Sequence, residues 1–187
     1  MTENVHELTA GVCLRPAVIS DAESFAVALT RSRTYMKRWE PGRPEAYYTA
    51  EGQHRRLTGL LADHEAGRAM PWVLADEEDR VVGAVNLGPI ERGPFRNARL
   101  GYWVDVDRAG RGLATAAVRR VCEDARDRLG LHRVEAGTVV DNAASQRVLA
   151  KAGFETIGTA PRYLHIAGTW ADHRLFQRIL HDGPPER

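Results

Sequence analysis

Lysine is almost missing from this sequence. Lys37 and Lys151 are the only two in 187 residues, although lysine and arginine together number 26. No lysine follows a glycine-rich turn, so the GxxxxGK[ST] phosphate loop of nucleotide triphosphatases is excluded. Net charge is also scarce: 25 acidic residues leave a formal charge of +1. The basic residues are mostly interleaved with acidic ones, which gives no long-range pull toward nucleic acid. Cys13 and Cys122 are the only cysteines, too few for a disulfide framework or a cysteine metal site. Cys122 falls in an apolar helical stripe and reads as a buried, reduced thiol. No apolar run approaches the roughly 18 residues of a membrane-spanning helix. MTENVHELTAG, at the start, is polar and acidic, unlike a secretory signal. A cytoplasmic enzyme or binding protein with no membrane or direct nucleic-acid partner is the resulting expectation. No internal repeat is visible.

What is present suits one globular domain over 1–187, with 182–187 as a flexible tail. VCLRP (Val12 to Pro16) reads as an edge strand stopped by proline. Ser20 or Asp21 can cap a helix through Ala22, Phe25, Ala28 and Leu29. A second helical stretch covers Ala46 to Ala66, anchored by Tyr47, Leu57, Leu60 and Leu61. Met70–Asp76, Val81–Ile90 and Ala98–Val106 are short apolar or alternating runs separated by turn compositions, which predicts an antiparallel meander. From Ala114, residues Ala117, Val118, Val121, Cys122, Ala125 and Leu129 recur at helical spacing, with charges on the opposite face. His132–Val140 reads as a strand, and NAASQRVLAKAGF as a short helix ended by Gly153. TIGTAPRYLHIAG and TWADHRLFQRIL supply two closing strands around a turn at Ile166-Ala167-Gly168. The pattern is α+β, a central twisted sheet with helices against it.

DRAGRGLATAAV (Asp107 to Val118) joins a strand to a helix through Gly110 and Gly112. Glycine permits close approach and unusual backbone angles there. The first turn of the following helix leaves backbone N–H groups unpaired, a nest that suits a diphosphate. Arg111 could add charge. The GxGxxG dinucleotide fingerprint does not match. By itself the turn can equally do no more than route the chain.

The segment Tyr102 to Phe154 resembles the Gcn5-related N-acetyltransferase superfamily, particularly the branch that acetylates ribosomal-protein N-termini. Its pyrophosphate motif falls on AGRGLA, Ala109 to Ala114, matching at Gly112 and Ala114 and departing at Ala109. VVDNAASQRVLAKAGF resembles that branch's Asn-x-x-Ser helix, with Asn142 and Ser145 as the cofactor-side pair. LRP, Trp39-Glu40-Pro41 and Leu100–Val104 extend the likeness over most of the chain. Ala116 stands where relatives often carry an acidic residue, and Arg162 where some place a carboxylate before Tyr163-Leu164.

The resemblance implies a mostly antiparallel mixed sheet whose splayed strand pair forms an acyl-CoA cleft. It implies acetyl-CoA as cofactor, held by backbone amides near Val104 and Val106 and by Gly110, Arg111, Gly112, Leu113, Ala114 and Thr115, with Asn142 beside them. Ser145 would assist the leaving thiolate, since a hydroxyl can donate to sulfur although it is a poor independent acid. Trp39, Tyr102, Trp103 and Tyr163 could line an acceptor groove. Glu40, Glu91, Asp105, His165 and His173 are unranked candidates for proton acceptor. The acceptor is the amine of a protein terminus or, alternatively, an aminoglycoside or polyamine. A noncatalytic acyl-CoA-binding partner and a purely structural use of the glycines stay open, and the likeness leaves room for a homodimer.

Overall fold

The computed structural model of the protein describes residues 5–9 and 11–184. Its elements run β1 (His6–Thr9), β2 (Val12–Pro16), α1 (Ala22–Met36), α2 (Ala50–Glu65), β3 (Met70–Asp76), β4 (Val81–Glu91), β5 (Asn97–Val104), α3 (Leu113–Asp127), β6 (Arg133–Val139), α4 (Ala143–Lys151), β7 (Glu155–Ile166) and β8 (Thr169–Ile179). All eight strands form one sheet in the order β1-β2-β3-β4-β5-β6-β8-β7. Every neighbouring pair is antiparallel except β5 and β6.

Helices cover both faces. Against one face, Leu113, Ala117, Val121 and Ala125 of α3 and Leu149 of α4 pack on Leu74, Val85, Leu100 and Val134. Against the other, Phe25 and Leu29 of α1 and Leu57 of α2 enclose Val73 and Val81. Because strand side chains alternate between faces, Tyr102 and Val104 go with the α3 side and Trp103 with the α1 side.

The one parallel contact is short. Asn97–Arg99 pairs with Arg133–Glu135 and nothing further. β5 then continues along β4 to Val104, and β6 continues along β8 to Val139. The sheet therefore splits between the C-terminal halves of β5 and β6. Asp105 N–H bonds Val82 carbonyl on the β4 side; by backbone alternation the Val104 and Tyr102 amides face the split.

Several sequence expectations shift. Val12–Pro16 is not an edge strand, because β1 pairs along its outer side. Pro16 sits at its last position, where a missing donor is tolerated. The second helix starts at Ala50 rather than Ala46, since Thr49 Oγ1 accepts from Gly52 N–H at 3.1 Å and caps it. Glu45–Tyr48 instead forms a 3-10 turn. A Cβ at residue 52 would lie 1.7 Å from Ala46 carbonyl oxygen, so this junction requires glycine. β5 stops at Val104, and Val106 falls in a 3-10 turn capped by Asp105. Of the expected tail, 182–184 carry no regular structure, and 185–187 lie outside the described residues.

Candidate active site

The split in the sheet opens into a cleft of about 480 Å³. On the α3 side it is walled by Ala109, Gly110 and Gly112 to Thr115, by Asn142, Ser145 and Arg147, and by Val104 and Tyr102. On the α1 side it is walled by Tyr35, Met36, Trp39 and Glu40 from the end of α1, and by Trp103 and His173. The cleft thus crosses the sheet, and two reactants can approach from opposite faces.

Gly110 and Gly112 have φ of +77° and +80°, a left-handed conformation that L side chains rarely adopt. Nothing lies within 4 Å of the Cβ position at either residue. Gly112 is the N-cap of α3 and supplies no side-chain cap. The first-turn amides of α3 have no acceptor within the helix; its first internal bond is Ala116 N–H to Gly112 carbonyl, 3.0 Å. α3 carries no acid in its first turn. This open, electropositive cradle fits the diphosphate of coenzyme A.

Asn142 caps α4, its Oδ1 accepting from Ser145 N–H at 3.0 Å. That bond places Ser145 in the first turn, where its Oγ lies 2.7 Å from Tyr102 Oη; the same phenol is 3.1 Å from Ser145 carbonyl oxygen. Burial pushes the Tyr102 phenol up to about 12, against a smaller opposing effect of the Ser145 bond. Tyr102 therefore remains a neutral donor at physiological pH. Sequence reasoning offered it as a wall of the acceptor groove; it lines the cleft, and its hydroxyl also joins it to Ser145. Alternation in LGYWV carried the missing signal, because it turns Tyr102 and Trp103 to opposite faces.

Two expected site residues fall elsewhere, and a third, Arg111, turns only its side chain away. Val106 does not line the cleft, and its amide donates to Ser32 Oγ at 3.1 Å, so it is not an open donor. The Arg111 guanidinium donates to Asp107 carbonyl at 3.2 Å, outside the cleft wall. Tyr163 packs on the His173 ring with centroids 5.2 Å apart, one layer behind the wall.

The five proton-acceptor candidates separate clearly. Asp105 is fully buried and accepts from Arg31, from Ser32 Oγ at 3.4 Å and from Asp107 N–H at 3.1 Å; it holds the end of β5 to α1. Glu91 is exposed at the end of β4. His165 packs edge-on against Trp170, 5.6 Å between centroids, in the β7–β8 hairpin. Arg162 is exposed with φ of +51°, its amide bonded to Asp172 Oδ1 at 2.8 Å. Glu40 and His173 alone line the cleft. Burial raises the Glu40 carboxyl above its ordinary value, against the lowering effect of Arg43 and Arg56. His173 Nδ1 donates to Ala171 carbonyl at 3.1 Å, which leaves the Nε2 lone pair free in the neutral ring.

Comparison with known proteins agrees with this geometry. Residues 12–155 match the acetyltransferase (GNAT) domain family. The probable N-acetyltransferase YjcK of Bacillus subtilis is 36% identical over 165 residues, 88% of this chain and 91% of that protein. The ribosomal-protein-S5-alanine acetyltransferase of Vibrio fischeri superposes with a TM-score of 0.92 at 34% identity, covering 97% of this chain and 99% of that one. RimJ of Mycobacterium smegmatis, in complex with CoA-disulfide, gives 0.87 at 31% identity over 94% and 85%. The chain belongs to the Gcn5-related N-acetyltransferase superfamily, in its ribosomal-protein-alanine acetyltransferase-like branch, and is an acyl-CoA-dependent N-acyltransferase.

Proposed function

We propose that this enzyme transfers acetyl from acetyl-CoA to the α-amine at a protein N-terminus, by direct attack. The observation that carries the reading is the crossing cleft, with the open amide cradle and Ser145 on the α3 side and Glu40 on the α1 side. When bound, acetyl-CoA supplies an electrophilic thioester carbonyl and a thiol leaving group. The amides from Gly110 to Thr115 hold its diphosphate, and the Val104 amide, facing the split, donates to the pantetheine arm or the carbonyl oxygen.

The amine nitrogen forms a bond to the carbonyl carbon as the carbon–sulfur bond breaks. One proton must leave nitrogen and one must reach sulfur. An α-amine titrates near 8, so it needs only modest help to become nucleophilic. Glu40 takes the nitrogen proton, and its raised affinity for protons makes it a better base at neutral pH than an ordinary carboxylate. His173 Nε2 is the second acceptor in the same wall. Tyr102 has one hydroxyl hydrogen. Donated to Ser145 Oγ across 2.7 Å, it frees the Ser145 O–H to point at sulfur.

Charge on the acceptor side favours a peptide over a polyamine. A smaller cavity of about 190 Å³ shares Glu40 with the cleft but adds Arg43 and Arg56. A polycation would meet two guanidiniums for one carboxylate. The similarity to the Vibrio fischeri S5-alanine acetyltransferase supports a ribosomal protein as the substrate class. Acetyl-CoA-dependent mass labelling of a mixed library of peptide N-termini, polyamines and aminoglycosides tests the reading. Labelled peptide α-amines are expected. Exclusive labelling of polyamines, or cofactor binding without any turnover, contradicts it.

A further inference from the structure

The cavity that Glu40 lines also holds a guanidinium that makes no direct ion pair with it. Arg56 of α2 and Arg43 both line it, with Phe25, Tyr47 and Trp103 as walls. The Arg56 side chain is fixed in place. Its Nε donates to Gln53 Oε1 at 2.8 Å, and its guanidinium lies over the Phe25 ring, 4.9 Å from the centroid. Gln53 is itself fully buried, and its Nε2 is anchored on Tyr47 carbonyl at 2.5 Å. Among the described residues no carboxylate comes within ion-pair distance of Arg56, and its two terminal nitrogens have no hydrogen-bond partner. Burial lowers its pKa, against the raising effect of Tyr47 and Glu40. Asn86 Oδ1, in the same cavity, is buried and also lacks a partner among the described residues.

A half-buried guanidinium whose terminal nitrogens make no hydrogen bond to protein gains from an oxygen that accepts from its fork. The cavity is smaller than the roughly 300–1,000 Å³ of pockets that take drug-sized ligands, so its occupant is small. It adjoins the carboxylate that meets the amine. We infer that Arg56 binds the carbonyl or carboxylate oxygen next to the acceptor's amine, and that Asn86 Oδ1 accepts from the neighbouring main-chain N–H. The site then recognises the α-amino-acyl unit itself, whatever its side chain, and rejects simple alkylamines and polyamines. A free amino acid and a peptide terminus share this chemistry. The inference rests on the N-acetyltransferase reading given above.

Four acceptors separate the sources: the amide of trialanine, free alanine, 2-aminopropane (a methyl in place of the carboxyl) and spermidine. In Arg56→Gln the acceptor KM for trialanine amide is expected to rise about 10- to 100-fold, the worth of one lost hydrogen bond to a charged group. The affinity for acetyl-CoA should not move, and the KM for 2-aminopropane should change far less than that for trialanine amide. Arg56→Lys should recover part of the loss. A lower KM for free alanine than for the peptide identifies a carboxylate, and the reverse identifies a peptide carbonyl. Thermal melts and acetyl-CoA titration report folding. Should Arg56→Gln fail to fold, Asn86→Asp places a competing carboxylate in the cavity and should raise the same KM. If the parent acetylates trialanine amide and the folded variants do so with unchanged KM, the inference is overturned while the proposed function stands. If the parent acetylates only spermidine or no α-amine, both fall.

Discussion

The hydroxyl of Tyr102 stands 2.7 Å from Ser145 Oγ, across the split between β5 and α4. A serine alone is a weak acid toward a leaving thiolate, and a neighbouring neutral phenol changes what it can do. Removing either hydroxyl breaks the same chain. Ser145→Ala and Tyr102→Phe should each lower kcat by about 10²-fold, the low end for general acid catalysis, with acetyl-CoA affinity retained. The double variant should be little worse than either single one, because groups acting as a unit are not additive. Presteady-state and steady-state rates on the three variants check this.

Glu40 and His173 compete for the role of base, and pH separates them. The base must be deprotonated, so kcat/KM rises with pH through its pKa. Glu40→Gln should lower the plateau by about 10²-fold and abolish the carboxylate limb; His173→Gln should leave that limb in place. Stability supplies an independent sign. Burial raises the folded carboxyl above its ordinary value, so folding favours the protonated form, and stability falls as pH climbs from the ordinary value through the raised one. Melting curves should show Glu40→Gln gaining on the parent over that window.

Asp105 was a candidate base by residue type alone, and its partners make it structural. Arg31→Ala leaves a fully buried carboxylate with only Ser32 and the Asp107 amide. Urea unfolding should register a loss of about 2–3 kcal/mol, discounted because Arg31 is partly exposed. The folded fraction should keep its kcat.

Much of this was legible beforehand, for identifiable reasons. α3 showed itself through a strict apolar stripe, and α4 through Asn142 and the Gly153 stop, because both helices bury one face and expose the other. Ser145 and the glycine turn followed from local pattern. β1 was missed because Leu8 is the one apolar residue of its four, and the strand gains order by pairing with β2. The commitments of Val106 and Asp105 were invisible because Ser32 and Arg31 lie more than seventy residues away in sequence. The Arg56 cavity was hidden likewise, since α1, α2, β4 and β5 build it together.

Gly112→Ala separates backbone strain from steric blockade. Space is open at its Cβ position, yet φ is +80°, so the fold should lose about 1–2 kcal/mol. The new methyl also stands at the mouth of the cradle, and acetyl-CoA should bind more weakly in calorimetric titration.

Amide hydrogen exchange across 110–115, with and without saturating acetyl-CoA, bears most directly on where coenzyme A is held. Protection confined to those amides and to Val104 is the predicted result. Unchanged exchange at the start of α3, with the cofactor demonstrably bound, would contradict it.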